Sequence, residues 1–81
     1  MSGVELPEGQ CPQAIAENEV VLVTLERCAP CERAKVKLKD NGIEYRIMRL
    51  EDCNQIEGYA GKVMFAPSIY VRRDNEVIFV M

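Results

Sequence analysis

Six consecutive residues, Val20-Val21-Leu22-Val23-Thr24-Leu25, are apolar or β-branched, and nothing else in the chain restricts its fold so strongly. A strand that alternates apolar and polar positions can leave one face in water, whereas a strand apolar throughout has to be covered on both. The run therefore predicts a central strand with material packed above and below it. In a chain of 81 residues, 48% of them hydrophobic, there is apolar surface for one small core and not for two. We read residues 1–81 as one domain, with 1–19 as an N-terminal arm and 20–81 as the core.

Downstream of the run the apolar period becomes helical. Cys31, Ala34 and Leu38 recur at helical spacing, Glu32, Arg33, Lys35, Lys37 and Lys39 lie mostly on the other side, and Asn41-Gly42 supplies a stop. A helix over 30–41 follows. Alternation of Ile43, Tyr45 and Ile47 predicts a second strand over 43–50. Asp52 with Gln55 resembles an acid-first capping box, so a short second helix is expected over 53–60, ended by Gly61. Residues 68–72 and 77–81 read as two strands joined at Asp74-Asn75 as an antiparallel hairpin. Upstream, 1–10 reads as a loose arm with Gly3, Pro7 and Gly9, and 11–19 as a short helix with Pro12 at its first position. The order is βαβαββ, an α/β arrangement with a four-stranded mixed sheet whose first two strands are parallel and joined by a right-handed crossover.

Between the first strand and the first helix lies Arg27-Cys28-Ala29-Pro30-Cys31, a CxxC. The chain contains no histidine, which removes Cys-His catalysis and His-ligated metals within one subunit. Beside the CxxC only Cys11 and Cys53 remain, without a second CxxC, so a four-ligand zinc site is disfavoured. Burial as two small core residues explains the pair poorly, because a strand-to-helix junction is exposed. A redox pair explains it best. At a helix start, unsatisfied backbone N–H groups and the positive end of the helix dipole favour thiolate over thiol on Cys28. Arg27 adds a neighbouring positive charge, Pro30 is costless in a first turn, and Cys31 stands at the spacing that resolves a mixed disulfide.

The net charge of −3 provides no broad basic surface, so nucleic acid is not expected as a partner. No apolar stretch reaches the ~20 residues needed to cross a bilayer, and MSGVELPEGQ lacks the pattern of a secretory signal, so a cytoplasmic location and no membrane partner are expected. In that setting all four cysteines are expected as thiols, with Cys11 and Cys53 read as packed residues outside the site.

VLVTLERCAPCERAKVKLKDNGIEY resembles the first strand, active-site turn and first helix of glutaredoxins and related small redoxins, and Phe65-Ala66-Pro67-Ser68-Ile69-Tyr70 looks like their entry into the third strand. The likeness runs from about Val20 to the end of the sequence. It implies a minimal thioredoxin-like fold, here without the family's C-terminal helix. It also implies that Cys28 and Cys31 are catalytic, that the Ala66–Pro67 bond is cis and lies beside them, and that the Ala66 backbone pairs with an extended substrate. Arg27 joins Ala66 and Pro67 as a substrate-binding candidate.

The implied activity is dithiol–disulfide oxidoreduction with no cofactor required, because the sulfur pair carries two electrons. The implied partners are a disulfide-containing protein, such as ribonucleotide reductase, and a reductase or glutathione as electron source. The chain departs from the family in three places. Leu25 stands where a glutaredoxin has lysine, no Gly-Gly turn or acidic pair closes the sequence, and the middle pair Ala29-Pro30 replaces the common Pro-Tyr and puts its proline where thioredoxins have it. The glutathione-binding motif is thus incomplete. Without the last helix one sheet face lacks cover, which residues 12–18 folding back or a homodimer would supply. The alternative reading is a thioredoxin-fold module that binds a protein partner without turnover.

Overall fold

The computed structural model describes residues 11–81, so the expected loose arm at 1–10 lies outside the described residues. Five elements follow in order: β1 (Val20–Thr24), α1 (Ala29–Asp40), β2 (Arg46–Arg49), β3 (Ser68–Arg73) and β4 (Glu76–Phe79). They build one four-stranded sheet in the order β2-β1-β3-β4. β1 pairs parallel with β2 through the α1 crossover, and antiparallel with β3, which pairs antiparallel with β4. This is an open, mixed α/β sheet that fits a minimal thioredoxin-like fold.

β1 is central and buried on both faces, as its unbroken apolar run requires: Val21, Leu22 and Val23 are all at most 1% exposed. On one face Leu22 packs with Leu38 of α1 and Ile69 of β3. On the other, Val21 and Val23 meet Met48, Tyr70 and Val77. Tyr59 stands edge-on to Tyr70 with ring centroids 5.0 Å apart. α1 forms where its signals fall, with Pro30 in the first turn, Lys37 and Lys39 in the last, and Asn41 at the C-cap.

Two expected helices do not form. Residues 11–19 run as an irregular strap whose backbone is engaged elsewhere: Gln13 N–H donates to Gln55 O at 3.0 Å and Glu57 N–H to Gln13 O at 2.7 Å. Residues 53–60 are likewise irregular. Ile56 bridges to Gln13, and Gly58 adopts φ +94° with its carbonyl accepting the Val77 N–H. A Cβ at Gly58 would meet Val77 Cγ2 at 3.2 Å. Asp52 lies 3.9 Å from Arg49, a residue on its N-terminal side, so its carboxylate is turned away from the expected cap. The element order is therefore βαβββ rather than βαβαββ, and β2 is shorter than the expected 43–50.

The irregular segments close the face that α1 does not reach. Ile15 of the strap, Cys53, Ile56 and Val63 complete the core there, each at most 4% exposed. Of the two covers named for an open face, the fold-back of residues 12–18 or a second copy, the fold-back is present, on the side opposite α1. On the α1 side the flanks of the sheet stay open, with Ile47 and Ile78 each more than 40% exposed. No helix among the described residues is long and apolar enough to cross a membrane.

Candidate functional site

The C-terminal end of β1 delivers the chain into the CxxC. Leu50 N–H donates to Thr24 O at 2.9 Å and Glu26 N–H to Glu51 Oε2 at 2.8 Å, which ties the turn after β1 to the turn after β2. The Glu26 N–H, aided by the adjacent Arg49, holds the Glu51 carboxyl below the usual glutamate range, so it is charged at neutral pH. Arg27 follows at φ +57°, a left-handed backbone that costs a non-glycine residue on the order of 1 kcal/mol. That kink turns the chain abruptly from the strand into the helix.

Cys28 is the N-cap of α1, and its Sγ accepts the Cys31 N–H at 3.0 Å. A capping side chain is ordinarily an oxygen; here sulfur takes the place, among the unsatisfied N–H groups of the first turn. Cys28 is half-buried while Cys31 is 1% exposed, so one sulfur faces the surface and the other lies behind it. The two are joined as a disulfide with a Cα–Cα separation of 5.2 Å. Arg27 is exposed, and among the described residues its side chain makes no ion pair or hydrogen bond.

Ser68 at the start of β3 stands opposite Val23, near the end of β1. The strand register therefore brings Ala66 and Pro67 to the end of the sheet from which the CxxC departs. The Ala66–Pro67 bond is cis, as the resemblance implied. Among the described residues neither the N–H nor the C=O of Ala66 has a hydrogen-bond partner. Just before it, Met64 and Phe65 are 78% and 53% exposed, with Phe65 edge-on to Phe79 at 5.8 Å. Pro67 itself borders a small apolar hollow of about 290 Å³ against Ala34, Leu38 and Ile69.

A second sulfur pair was not expected. Cys11 and Cys53 are disulfide-bonded, with Cα atoms 5.5 Å apart, and no described cysteine is a free thiol. The expectation of reduced thiols is corrected on this point, and the physical reason is the strap: laying 11–19 over the sheet beside 53–57 brings the two sulfurs together. An even cysteine count was the one sign of it in the sequence. Among the described residues no group of three or more His, Cys, Asp or Glu is placed to hold a metal ion.

No family model matches the chain, and neither does any curated protein or solved structure. The functional reading rests on the geometry of the site. A sulfur pair at disulfide distance on the first turn of a helix is consistent with redox chemistry.

Proposed function

We propose that the chain is a glutaredoxin-like dithiol–disulfide oxidoreductase acting through Cys28 and Cys31. The observation that carries the reading is the Cys31 N–H directed at Cys28 Sγ from the first turn of α1, with the Cys31 sulfur buried behind it. Once the pair is reduced, that N–H and the helix terminus stabilise a thiolate on Cys28 more than a thiol.

The Cys28 thiolate attacks one sulfur of a substrate disulfide and expels the other as a thiolate, which takes up a proton from solvent. Cys31 then loses its proton, attacks Cys28 Sγ and displaces the substrate's remaining sulfur. Two electrons have passed to the substrate, and Cys28–Cys31 is again a disulfide. An external dithiol or two molecules of glutathione, oxidised in turn, restore the reduced pair. In this scheme the unpaired Ala66 backbone receives an extended substrate segment, the exposed Met64 and Phe65 give it apolar contact, and Arg27 attracts acidic groups. The reaction belongs in a reducing compartment such as the cytoplasm, and it needs no further cofactor.

The test is reduction of insulin or of a glutathione mixed disulfide. Cys28→Ser is expected to lower turnover by at least 100-fold, and Cys31→Ser to accumulate the mixed disulfide on Cys28 at the expense of turnover. The exposed Met64–Phe65 surface favours one other reading, a protein-binding module without turnover. Undiminished partner binding by Cys28→Ser, with no disulfide reduction by the unaltered protein, would replace the enzyme reading with that one.

A further inference from the structure

The strap over the second sheet face is held in two different ways. At its far end it runs directly into β1; at its near end it is held by the Cys11–Cys53 bond, bridging a sequence separation of 42. Between those ends the contacts are polar. Arg46 Nη2 donates to Ala14 O at 2.6 Å, Arg72 Nη1 to Ile15 O at 2.8 Å, and the Asp74 N–H to Glu17 Oε2 at 2.8 Å. Apart from one bridge at Gln13 the strap has no regular structure, and Ile15 is its one fully buried side chain.

The disulfide is asymmetric. Cys53 is 4% exposed, whereas Cys11 is exposed and borders an open hollow of about 490 Å³ between Leu50, Asp52, Asn54 and Met64. Cys53 Sγ lies 3.1 Å from the Gln55 carbonyl oxygen and 3.5 Å from the Gln55 N–H, so a Cys53 thiol released from the bond has an acceptor within reach. A nucleophile entering from the hollow therefore meets the exposed Cys11 first, with Cys53 as the leaving group.

We propose that Cys11–Cys53 is a second thiol–disulfide exchange site, at which an external dithiol releases residues 11–19 from the sheet. The dithiol's thiolate attacks Cys11 Sγ, the Sγ–Sγ bond breaks, and Cys53 departs as a thiolate. The dithiol's second sulfur, once deprotonated, then displaces Cys11 and closes its own disulfide, and the two cysteine thiolates take up protons from solvent. Two electrons pass from the dithiol to the protein. The strap then loses its covalent tie at Cys11 and opens locally, uncovering the apolar side of β1 and β3 without loss of the sheet. The inference stands independently of any turnover at Cys28–Cys31.

The experiment treats the native full chain with dithiothreitol without denaturant, maps new thiols by alkylation and peptide mass, and follows amide hydrogen exchange. The expected result is alkylation at Cys11 and Cys53, exchange across 13–18 at least tenfold faster, and Val21, Leu22 and Tyr70 still at least tenfold better protected than the strap. Cys11→Ser/Cys53→Ser is expected to show the same fast strap exchange with no reductant, which separates the effect from reduction of Cys28–Cys31. The proposal is overturned if Cys11–Cys53 resists reduction until the protein is denatured. It is equally overturned if strap exchange is unchanged after reduction, or if strap and sheet come to share one level of protection, in the reduced protein or in the double variant.

Discussion

Arg46 is the residue on which the strap's position most depends apart from the disulfide, and Arg46→Met isolates its guanidinium. Methionine retains much of the apolar stem that lies along the sheet, so the change removes chiefly polar contacts. Those contacts are Nη2 to Ala14 O at 2.6 Å, Nη1 to Gln13 Oε1 at 3.1 Å, and the ion pair with Glu19, Nε to Oε2 at 3.1 Å and Nη2 to Oε1 at 3.3 Å. Hydrogen bonds with a charged partner contribute about 1.5–3 kcal/mol when buried. With the Arg46 side chain 25% exposed, water offsets part of that, and about 1 kcal/mol each is a fair allowance for the two neutral acceptors. The partly exposed Glu19 pair adds about 0.5–1 kcal/mol. The expected loss is about 3 kcal/mol in total, read from urea unfolding of the oxidised protein by far-UV circular dichroism. Glu19→Gln removes only the ion pair, since Glu19 Oε1 also accepts the Ala16 N–H at 2.9 Å, and is expected to cost less than about 1 kcal/mol. The double-mutant cycle should then return a coupling energy of about 0.5–1 kcal/mol. A loss below about 1 kcal/mol for Arg46→Met would refute the clamp, and a coupling equal to the whole loss would assign it to Glu19 instead of the strap backbone.

Removing the Cys11–Cys53 cross-link, with its sequence separation of 42, is expected to destabilise the native state by about 4 kcal/mol on the chain-entropy model. Cys11→Ser/Cys53→Ser against the oxidised protein in urea measures this, and a difference under about 1 kcal/mol would contradict it. Glu51 yields a pH prediction: its folded-state pKa is lowered, first by the Glu26 N–H, so its contribution is present above the ordinary glutamate pKa and is lost as pH falls through the folded value. Glu51→Gln should therefore flatten the acid side of the stability curve and leave the slope near neutral pH unaltered; an unchanged acid slope in urea midpoints would count against the Glu26 contact.

The elements whose signals are local and strong are the ones the sequence revealed. β1 was legible because every position is apolar or β-branched, which favours a strand covered on both faces. α1 was legible because Pro30, the Cys31-Ala34-Leu38 spacing and Asn41 agree on one helix. The CxxC could be placed because it falls where those two elements meet. Residues 11–19 and 53–60 also carried helix signals, a first-turn proline and a capping pair, but each is short. A disulfide, a backbone bridge at Gln13 and the positive φ of Gly58 override such signals. Neither Arg46 nor Arg72 stood out as a clamp, because what each holds is fixed by where the strap lands and not by its neighbours in sequence.

The two faces of the sheet show what a chain of 81 residues does with one described helix. A helix satisfies most of its own backbone groups, so α1 covers its face with apolar side chains and leaves one first-turn N–H, that of Cys31, to the Cys28 sulfur. Irregular chain satisfies few of its own, among the described residues of the strap only the Glu19 N–H to Ala16 O, so the strap needs partners for its other carbonyls and amides, and Arg46, Arg72 and residues 55–57 provide them. Such a cover is also the easier one to open, since it lacks the cooperativity of a helix. The Cys28–Cys31 pair is thereby set on the element that folds most autonomously, and Cys11–Cys53 on the one that depends most on its cross-link. A change of redox state at the second pair should consequently alter the loop-covered face while the geometry at the start of α1 persists.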